Sequence, residues 1–411
     1  MRAVGIICEY NPFHSGHEFH IRRARELTGL PVVCVMSGNF VQRGDAAVLG
    51  KFARAESAVR GGADLVLELP TPWACAGAQR FAAGGVGLLA ALGVVSHIAF
   101  GSESGDLRAM TDAARLTLDE RVNERIRALL SGGMAYAAAR QRAVEAADPA
   151  AGALLAAPND ILGIEYIRAI LENGFPLTPV CVPREGAAHD GGTRGRFAAA
   201  SAIRELLCAG RTDAARAFLP RQSFGILERE IRAGRAPVDG RALDTAVMSV
   251  LRRMDAADFA ALPDISEGLE HRLARAAREA LDPADFCARV KTRRYSHARL
   301  RRICTAAFLG LTREMAQEAV PYARVLALND AGRALLREVT GVPVVTKAAD
   351  GRALGGAAAR CLAFEARADD LYALAYPSRA ARYGGQGWTR SPVYVCGQSC
   401  EQTFSGGFLC T

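Results

Sequence analysis

Ala3-Val4-Gly5-Ile6-Ile7-Cys8-Glu9-Tyr10-Asn11-Pro12-Phe13-His14-Ser15-Gly16-His17 is the stretch on which the fold turns. Its first six residues are small or apolar without alternation, the pattern of a strand buried on both faces. After a short loop, residues 17–28 take helical spacing. A buried strand feeding a helix opens a βαβ unit, and the rhythm repeats, with strands predicted over residues 32–36, 64–69 and 94–100. Between them, residues 51–60 and 79–92 are amphipathic and long enough to cross over a sheet. The pattern predicts an α/β fold, a Rossmann-like, doubly wound parallel sheet. Such sheets bind ligands outside the carboxyl ends of their strands, so the loops at residues 9–16, 37–45, 70–77 and 101–106 should line one crevice.

Further along, residues 109–157 read as helices, Pro158-Asn159-Asp160 starts another helix, and residues 178–182 suit a last strand. Beyond Arg204 the pattern is helical to about residue 312, so the sheet is followed by a mainly helical C-terminal part. The predicted division is a first domain over 1–210, a helical, basic region over 211–320, a small mixed unit over 321–383 and an irregular tail with glycine and cysteine over 384–411. Cys396, Cys400 and Cys410 lack a well-placed fourth ligand, so no metal is expected there.

The chain has 411 residues, 50% of them hydrophobic, enough for a full core and two or three domains. A net charge of +8 leans toward a polyanionic partner. Among 51 basic residues only Lys51, Lys291 and Lys347 are lysine, so an arginine carries little information by identity. Eleven cysteines with no secretory signal ahead of them fit a reduced cytoplasm. Residues 81–100 could mimic a membrane span, but Gly84, Gly85, Gly87 and Gly93 divide them into a helix and a buried strand, and no membrane segment is expected.

His14-Ser15-Gly16-His17 falls where a first helix begins, and open backbone N–H groups with the helix dipole favour an anion there. Two imidazoles three positions apart can reach one phosphate, and the glycine between them removes a Cβ that would hold it off. Either histidine could instead cap the helix, or the pair could join His20 on a metal, with Glu9 the carboxylate to watch. No Walker loop and no complete Gly-x-Gly-x-x-Gly fingerprint is present, so a nucleotide would be held by another device. Residues 289–302 hold seven basic side chains and no acidic one, with Tyr295 and His297 interleaved. Arg294, His297 and Arg301 would share a helical face that neutralises phosphates while Tyr295 stacks on a base, or the run is simply a solvated arginine-rich face.

The tetrad resembles the hallmark of the nucleotidyltransferase superfamily that includes class I aminoacyl-tRNA synthetases. Phe197-Ala198-Ala199-Ala200-Ser201-Ala202-Ile203-Arg204 resembles its second hallmark, with Ser201 and Arg204 gripping the β- and γ-phosphates as pyrophosphate leaves; alone, Ser201 reads as an N-cap. Residues 5–17 are similar to the opening of the tRNA(Met) cytidine acetate ligase family. So are Met36-Ser37-Gly38-Asn39-Phe40-Val41-Gln42-Arg43-Gly44, Gly61-Gly62-Ala63-Asp64, Phe100-Gly101-Ser102-Glu103, Pro158-Asn159-Asp160-Ile161 and Ser266-Glu267-Gly268-Leu269-Glu270, in order, up to about residue 350.

The resemblance implies an enzyme that activates acetate with ATP as acetyl-adenylate and acetylates N4 of the wobble cytidine, C34, of elongator tRNA(Met). It implies catalytic roles for His14, His17, Ser201 and Arg204. The implied ATP site is Ile7, Cys8, Glu9, Tyr10, Asn11, Pro12, Phe13, His14, Ser15, Gly16, His17, Glu18, Phe19 and His20, joined by Gly101, Asn159 and Arg184. Lys291, Arg293, Arg294, Tyr295 and Arg301 are the implied tRNA contacts. Magnesium is expected with the pyrophosphate, and no acetyl-coenzyme A site is expected. Ser37 and Asn39, polar groups at the end of the second strand, are candidates for the acetate neighbourhood. The sequence departs from the family at Asp160, where a second asparagine is common, at Asp45-Ala46, and in the tail from Gly384. A metabolite adenylyltransferase, a synthetase-like amino acid ligase and a non-catalytic RNA-binding protein on this fold are the competing readings.

Overall fold

Strands with two apolar faces need cover on both sides, and the head of the chain is built to supply it. The computed structural model describes residues 1–183, 198–266, 268–315 and 317–396. Among them eight strands form one sheet: β1 (Ala3–Cys8), β2 (Val32–Ser37), β3 (Leu65–Leu69), β4 (Val95–Ser102), β5 (Thr178–Pro183), β6 (Ala323–Leu328), β7 (Val344–Val345) and β8 (Val393–Tyr394). Val4, Ile6, Val32, Cys34 and Met36 face one layer, which includes Ile21 of α1 (Ser15–Thr28) and Ala55 and Val59 of α2 (Lys51–Arg60). Ala3, Ile7, Val33 and Val35 face the other, beyond the short α3 (Thr71–Ala74), where α4 (Ala78–Ala91) and the helix Pro158–Asn173 lie. Gly5 lets α4 come close, since a Cβ there would stand 2.6 Å from Leu89 Cδ1.

The strand order is β5-β4-β1-β2-β3-β6-β7, with β8 paired to β6. From β1 the chain winds outward through β2 and β3, then returns to place β4 on the other flank of β1, all in parallel pairs. The winding reverses between β1 and β4. The general rule for such sheets puts a crevice there, at the carboxyl ends of the neighbouring parallel strands β1 and β4, from which the 9–16 and 101–106 loops leave. Residues 81–100 are most of α4 and most of β4, and among the described residues no helix is long and apolar enough to cross a membrane.

The part expected as a small mixed unit differs. β6 pairs antiparallel with β3, Leu65 opposite Leu328 and Glu68 opposite Arg324, so residues 321–383 continue the main sheet. β3 is buried on both faces and would otherwise present an open edge; β6, buried at all six positions, closes it. Val393 and Tyr394, from the segment expected to be irregular, pair with β6 as β8. A separate apolar cluster of Leu251, Phe259, Leu273, Phe286, Val290, Leu300 and Ile303 holds the helices between Asp244 and Leu309.

A buried polar network joins the late strand and helix to the early sheet. Lys51 Nζ stands 2.6 Å from Glu68 Oε1 and 2.8 Å from Asp369 Oδ2, and Arg324 Nε lies 3.7 Å from Glu68 Oε2. Glu365, on the same helix as Asp369 (Gly356–Ala373), accepts from Thr71 N at 2.7 Å and Thr71 Oγ1 at 3.0 Å. Burial, then the neighbouring Glu68 charge, pushes its carboxyl up to about 8.

Removing one member of such a network strands the others. Lys51→Met should cost about 3–5 kcal/mol in urea unfolding; a loss under about 1 kcal/mol would show that the ion pairs do not hold the sheet. For Glu365 the folded form keeps its proton to higher pH than the unfolded chain, so stability should fall as pH rises from the ordinary carboxyl range to about 8. Glu365→Gln should flatten that slope between pH 5.5 and 8, read from urea midpoints at each pH.

Candidate active site

After β1 the backbone turns sharply at Tyr10, whose φ is 48°. Its ring is buried, edge-on to Phe13 at 5.0 Å and against the His17 ring at 4.8 Å. Asn11 Oδ1 accepts from Val48 N at 2.8 Å, tying this turn to the segment ahead of α2. Arg54, fully buried, donates from Nη1 to the carbonyl of Glu9 at 2.6 Å.

His14 is the extended N-cap of α1. Its Nδ1 accepts from Gly16 N at 3.1 Å, and His17 Nδ1 accepts from His14 N at 3.3 Å, a reciprocal capping box. The rings stack at 3.7 Å with 22° between their planes. The capping role considered for the histidines is therefore real, and it corrects the expectation of open backbone donors. Ser15 N goes to Phe218 O, Gly16 N to the His14 ring, and His17 N and Glu18 N to His14 O. An imidazole that accepts at Nδ1 carries its ring proton at Nε2 when neutral, so the cap fixes the tautomer of both rings.

The second motif reaches the first directly. The helix Ala200–Cys208 shares an apolar cluster with Val48, Leu49 and Ala53 through Ile203 and Leu207, and Arg204 Nη1 donates to the carbonyl of Asn11 at 2.8 Å. The N-cap here is Ala199, without a side-chain bond, so Ser201 is no cap but an exposed residue in the first turn.

Other expected site residues divide by burial. Ile7, Tyr10, Asn11 and Phe13 are buried, so they shape the loop and meet a ligand through the backbone or not at all. Cys8 Sγ donates to Val35 O at 3.7 Å. Pro12 lies in the turn, and Glu18, Phe19 and His20 follow on α1, with the Arg22 guanidinium 5.3 Å from the Phe19 ring. Gly101 sits in β4. Half-buried Asn159 gives its amide to Glu103 Oε1. Buried Asp160 accepts from Ser102 Oγ and from Glu103 N at 3.0 Å, so this departure from the family fastens the loop after β4. Arg184, Phe197, Glu267, Cys400 and Cys410 lie outside the described residues. Ser37 and Asn39 are buried; Asn39 is committed to Asp369 and Lys51 N, whereas Ser37 Oγ has no hydrogen-bond partner among the described residues. Among the described residues no group of three or more His, Cys, Asp or Glu could hold a metal ion.

The basic run is broken by structure. Arg294 precedes Ser296, the N-cap of the helix His297–Leu309, so the shared helical face is not formed. Tyr295 is buried in the helical core, with the Arg299 guanidinium 5.1 Å from its ring, and cannot stack on a base. Arg301 Nη1 lies 3.4 Å from Asp45 Oδ1, Arg302 pairs with Asp264, and Lys291 and Arg293 are exposed. Thr305 Oγ1 donates to Gly44 O at 2.6 Å, which docks this helix on the loop after β2. Arg54 escaped notice because arginine is common here; Lys51, a rare lysine, was the available signal.

Residues 1–386 match the family described as HIGH Nucleotidyl Transferase. The chain is 34% identical to the tRNA(Met) cytidine acetate ligase of Acetivibrio thermocellus over 96% of this chain and 100% of that one. It is 38% identical to that of Fervidobacterium nodosum over 85% and 84%. Thermotoga maritima TmcAL bound with alpha-thio ATP matches with a TM-score of 0.90 at 32% identity, over 97% of this chain and 100% of that one.

Gly44, at φ 82°, would place a Cβ 2.6 Å from the Arg301 backbone. Gly44→Ala should cost about 1–3 kcal/mol through overpacking and strain, measured by thermal or urea unfolding; an unchanged midpoint would mean the loop and helix are not pressed together.

Proposed function

The chain belongs to the tRNA(Met) cytidine acetate ligase family, and from that premise we propose how its residues carry out the two steps of acetate activation and transfer. It is an ATP-dependent ligase that converts acetate to acetyl-adenylate and acetylates N4 of C34 in elongator tRNA(Met). The observation that supports the site assignment is the bond from Arg204 to the Asn11 carbonyl, which joins the second motif to the loop that carries the first.

In the first step an acetate oxygen attacks the α-phosphorus and pyrophosphate leaves. Such a step asks the protein for alignment and for neutralisation of charge spreading over phosphate oxygens. The Nε2–H groups of His14 and His17 donate to those oxygens, and the amino end of α1 adds its dipole. Arg204 and Ser201 meet the β- and γ-phosphates. Magnesium enters with the nucleotide as part of the substrate. No carboxylate cluster gathers for it among the described residues, and no step is assigned to it. Closure against water protects the mixed anhydride. No acetyl-coenzyme A is used.

In the second step the cytidine amine takes the acetyl group and AMP is released. The tRNA lies along the helical region 211–320, with Lys291, Arg293, Arg294 and Arg301 meeting its phosphates, beside the loop that Thr305 holds. The protein acts in the cytoplasm.

Purified protein should catalyse acetate-dependent exchange of pyrophosphate into ATP, and with tRNA it should yield AMP and N4-acetylcytidine. Exchange that needs no acetate, or AMP joined to the acceptor, would sink the reading. His17→Ala should lower the exchange rate by about 10²–10³-fold. Arg204→Ala should weaken apparent ATP affinity by roughly 10–100-fold, the worth of a charged hydrogen bond; equal affinity would remove Arg204 from the phosphate site.

A further inference from the structure

One carboxylate stands at the meeting point of the loops that make the crevice. Glu9 follows the last residue of β1, and its backbone carbonyl is held by Arg54 Nη1 at 2.6 Å. Its Oε1 accepts from Gln42 N at 2.8 Å, while Oε2 has no protein hydrogen bond among the described residues and the side chain is half-buried. The charged groups around it come from separate elements: Arg204 from the helix Ala200–Cys208, Arg54 from α2 and Arg43 from the loop after β2. Tyr166, on the helix Pro158–Asn173, and Cys75, the C-cap of α3, also feel its charge. Three guanidinium groups would ordinarily make a carboxylate a weak base. Burial outweighs them, and the Glu9 carboxyl is raised from its usual range.

The transfer step needs such a group. The exocyclic amine of cytidine has its lone pair delocalised into the ring, so it attacks weakly, and it becomes strongly acidic once the C–N bond forms. A positioned base that takes the proton lowers that barrier, by typically about 10²–10⁴-fold, and works best when its own proton affinity approaches the working pH. His14 and His17 are committed through Nδ1 to the helix cap, which presents them as donors.

We propose that Glu9 is the general base of acetyl transfer, an inference that rests on the ligase reading above. As the N4 lone pair forms the C–N bond at the acetyl carbon, one N4 proton passes to Glu9 Oε2. The bond from the acetyl carbon to the phosphate oxygen breaks, and AMP leaves with that electron pair. The proton then returns to solvent.

The test separates the half-reactions. Chemically made acetyl-adenylate is mixed with enzyme and tRNA in a single turnover, and acetylated cytidine is counted; pyrophosphate exchange is measured in parallel. Glu9→Gln keeps the volume and an oxygen for Gln42 N. Its transfer rate should fall about 10²–10³-fold more than its exchange rate. The wild-type transfer rate should drop as pH is lowered through the Glu9 titration, and the variant should lose that limb. Glu9→Asp, which keeps the base one methylene short, should recover part of the transfer rate and the acid limb. Equal losses in both half-reactions, as expected of a residue that only shapes the ATP loop or meets magnesium, would overturn the assignment, as would a Glu9→Gln enzyme that transfers normally. A Glu9→Gln protein that does not fold leaves the decision to Glu9→Asp, whose failure to recover transfer or the acid limb also overturns it. Wild-type protein that makes no acetylated cytidine overturns the ligase reading and the role of Glu9 together.

Discussion

Arg54 is the constraint from which the site follows. Its guanidinium is wholly buried and gives its hydrogen bonds to backbone carbonyls, a costly arrangement unless its donors are satisfied. Here they are: Nε donates to Leu49 O at 2.8 Å, Nη1 to Glu9 O and Ser37 O, and Nη2 to Gly38 O. These carbonyls belong to chain leaving β1, chain ending β2 and chain entering α2. Beyond the last rung of a parallel ladder such groups have no sheet partner, and one side chain supplies it for all three. The turn through Tyr10 and Asn11, and so the position of His14, follows from that anchoring.

A second buried set carries the dependence across the whole chain. Lys51 opens α2 and is held by Glu68 of β3 and Asp369 of a helix over 300 residues later, while Tyr372 Oη donates to Ala47 O at 2.7 Å. The first half of the molecule therefore does not finish its own active end. Its loops are braced from behind by residues of the last quarter, and β6 closes the edge that β3 leaves open. The helical region meets the same loops from another direction, through Thr305 and Arg301 against Gly44 and Asp45. The turn before α1 and the helical region thus share one short connector, the chain between β2 and α2.

The histidines show how one residue can serve structure and chemistry together. Capping takes Nδ1 of each ring, which fixes the ring and turns Nε2 into the donor. The backbone N–H groups at the helix start are taken up by this cap, and the two rings stack side by side.

What the sequence determined by itself was local. Apolar runs without alternation marked β1 to β5, helical spacing marked the crossovers, and His14 to His17 marked the start of the first helix, because each of these is written in neighbouring residues. Tertiary structure decided what lies far apart in the chain: that β6 runs antiparallel beside β3, that Tyr295 is core rather than a stacking platform, that Asn39 is taken by Asp369, and that Arg54 ties the chain after β1 to the chain after β2. In an arginine-rich chain a buried guanidinium and a solvated one look alike in sequence. Only the presence of carbonyls with no other partner tells them apart, and those carbonyls are brought together by folding.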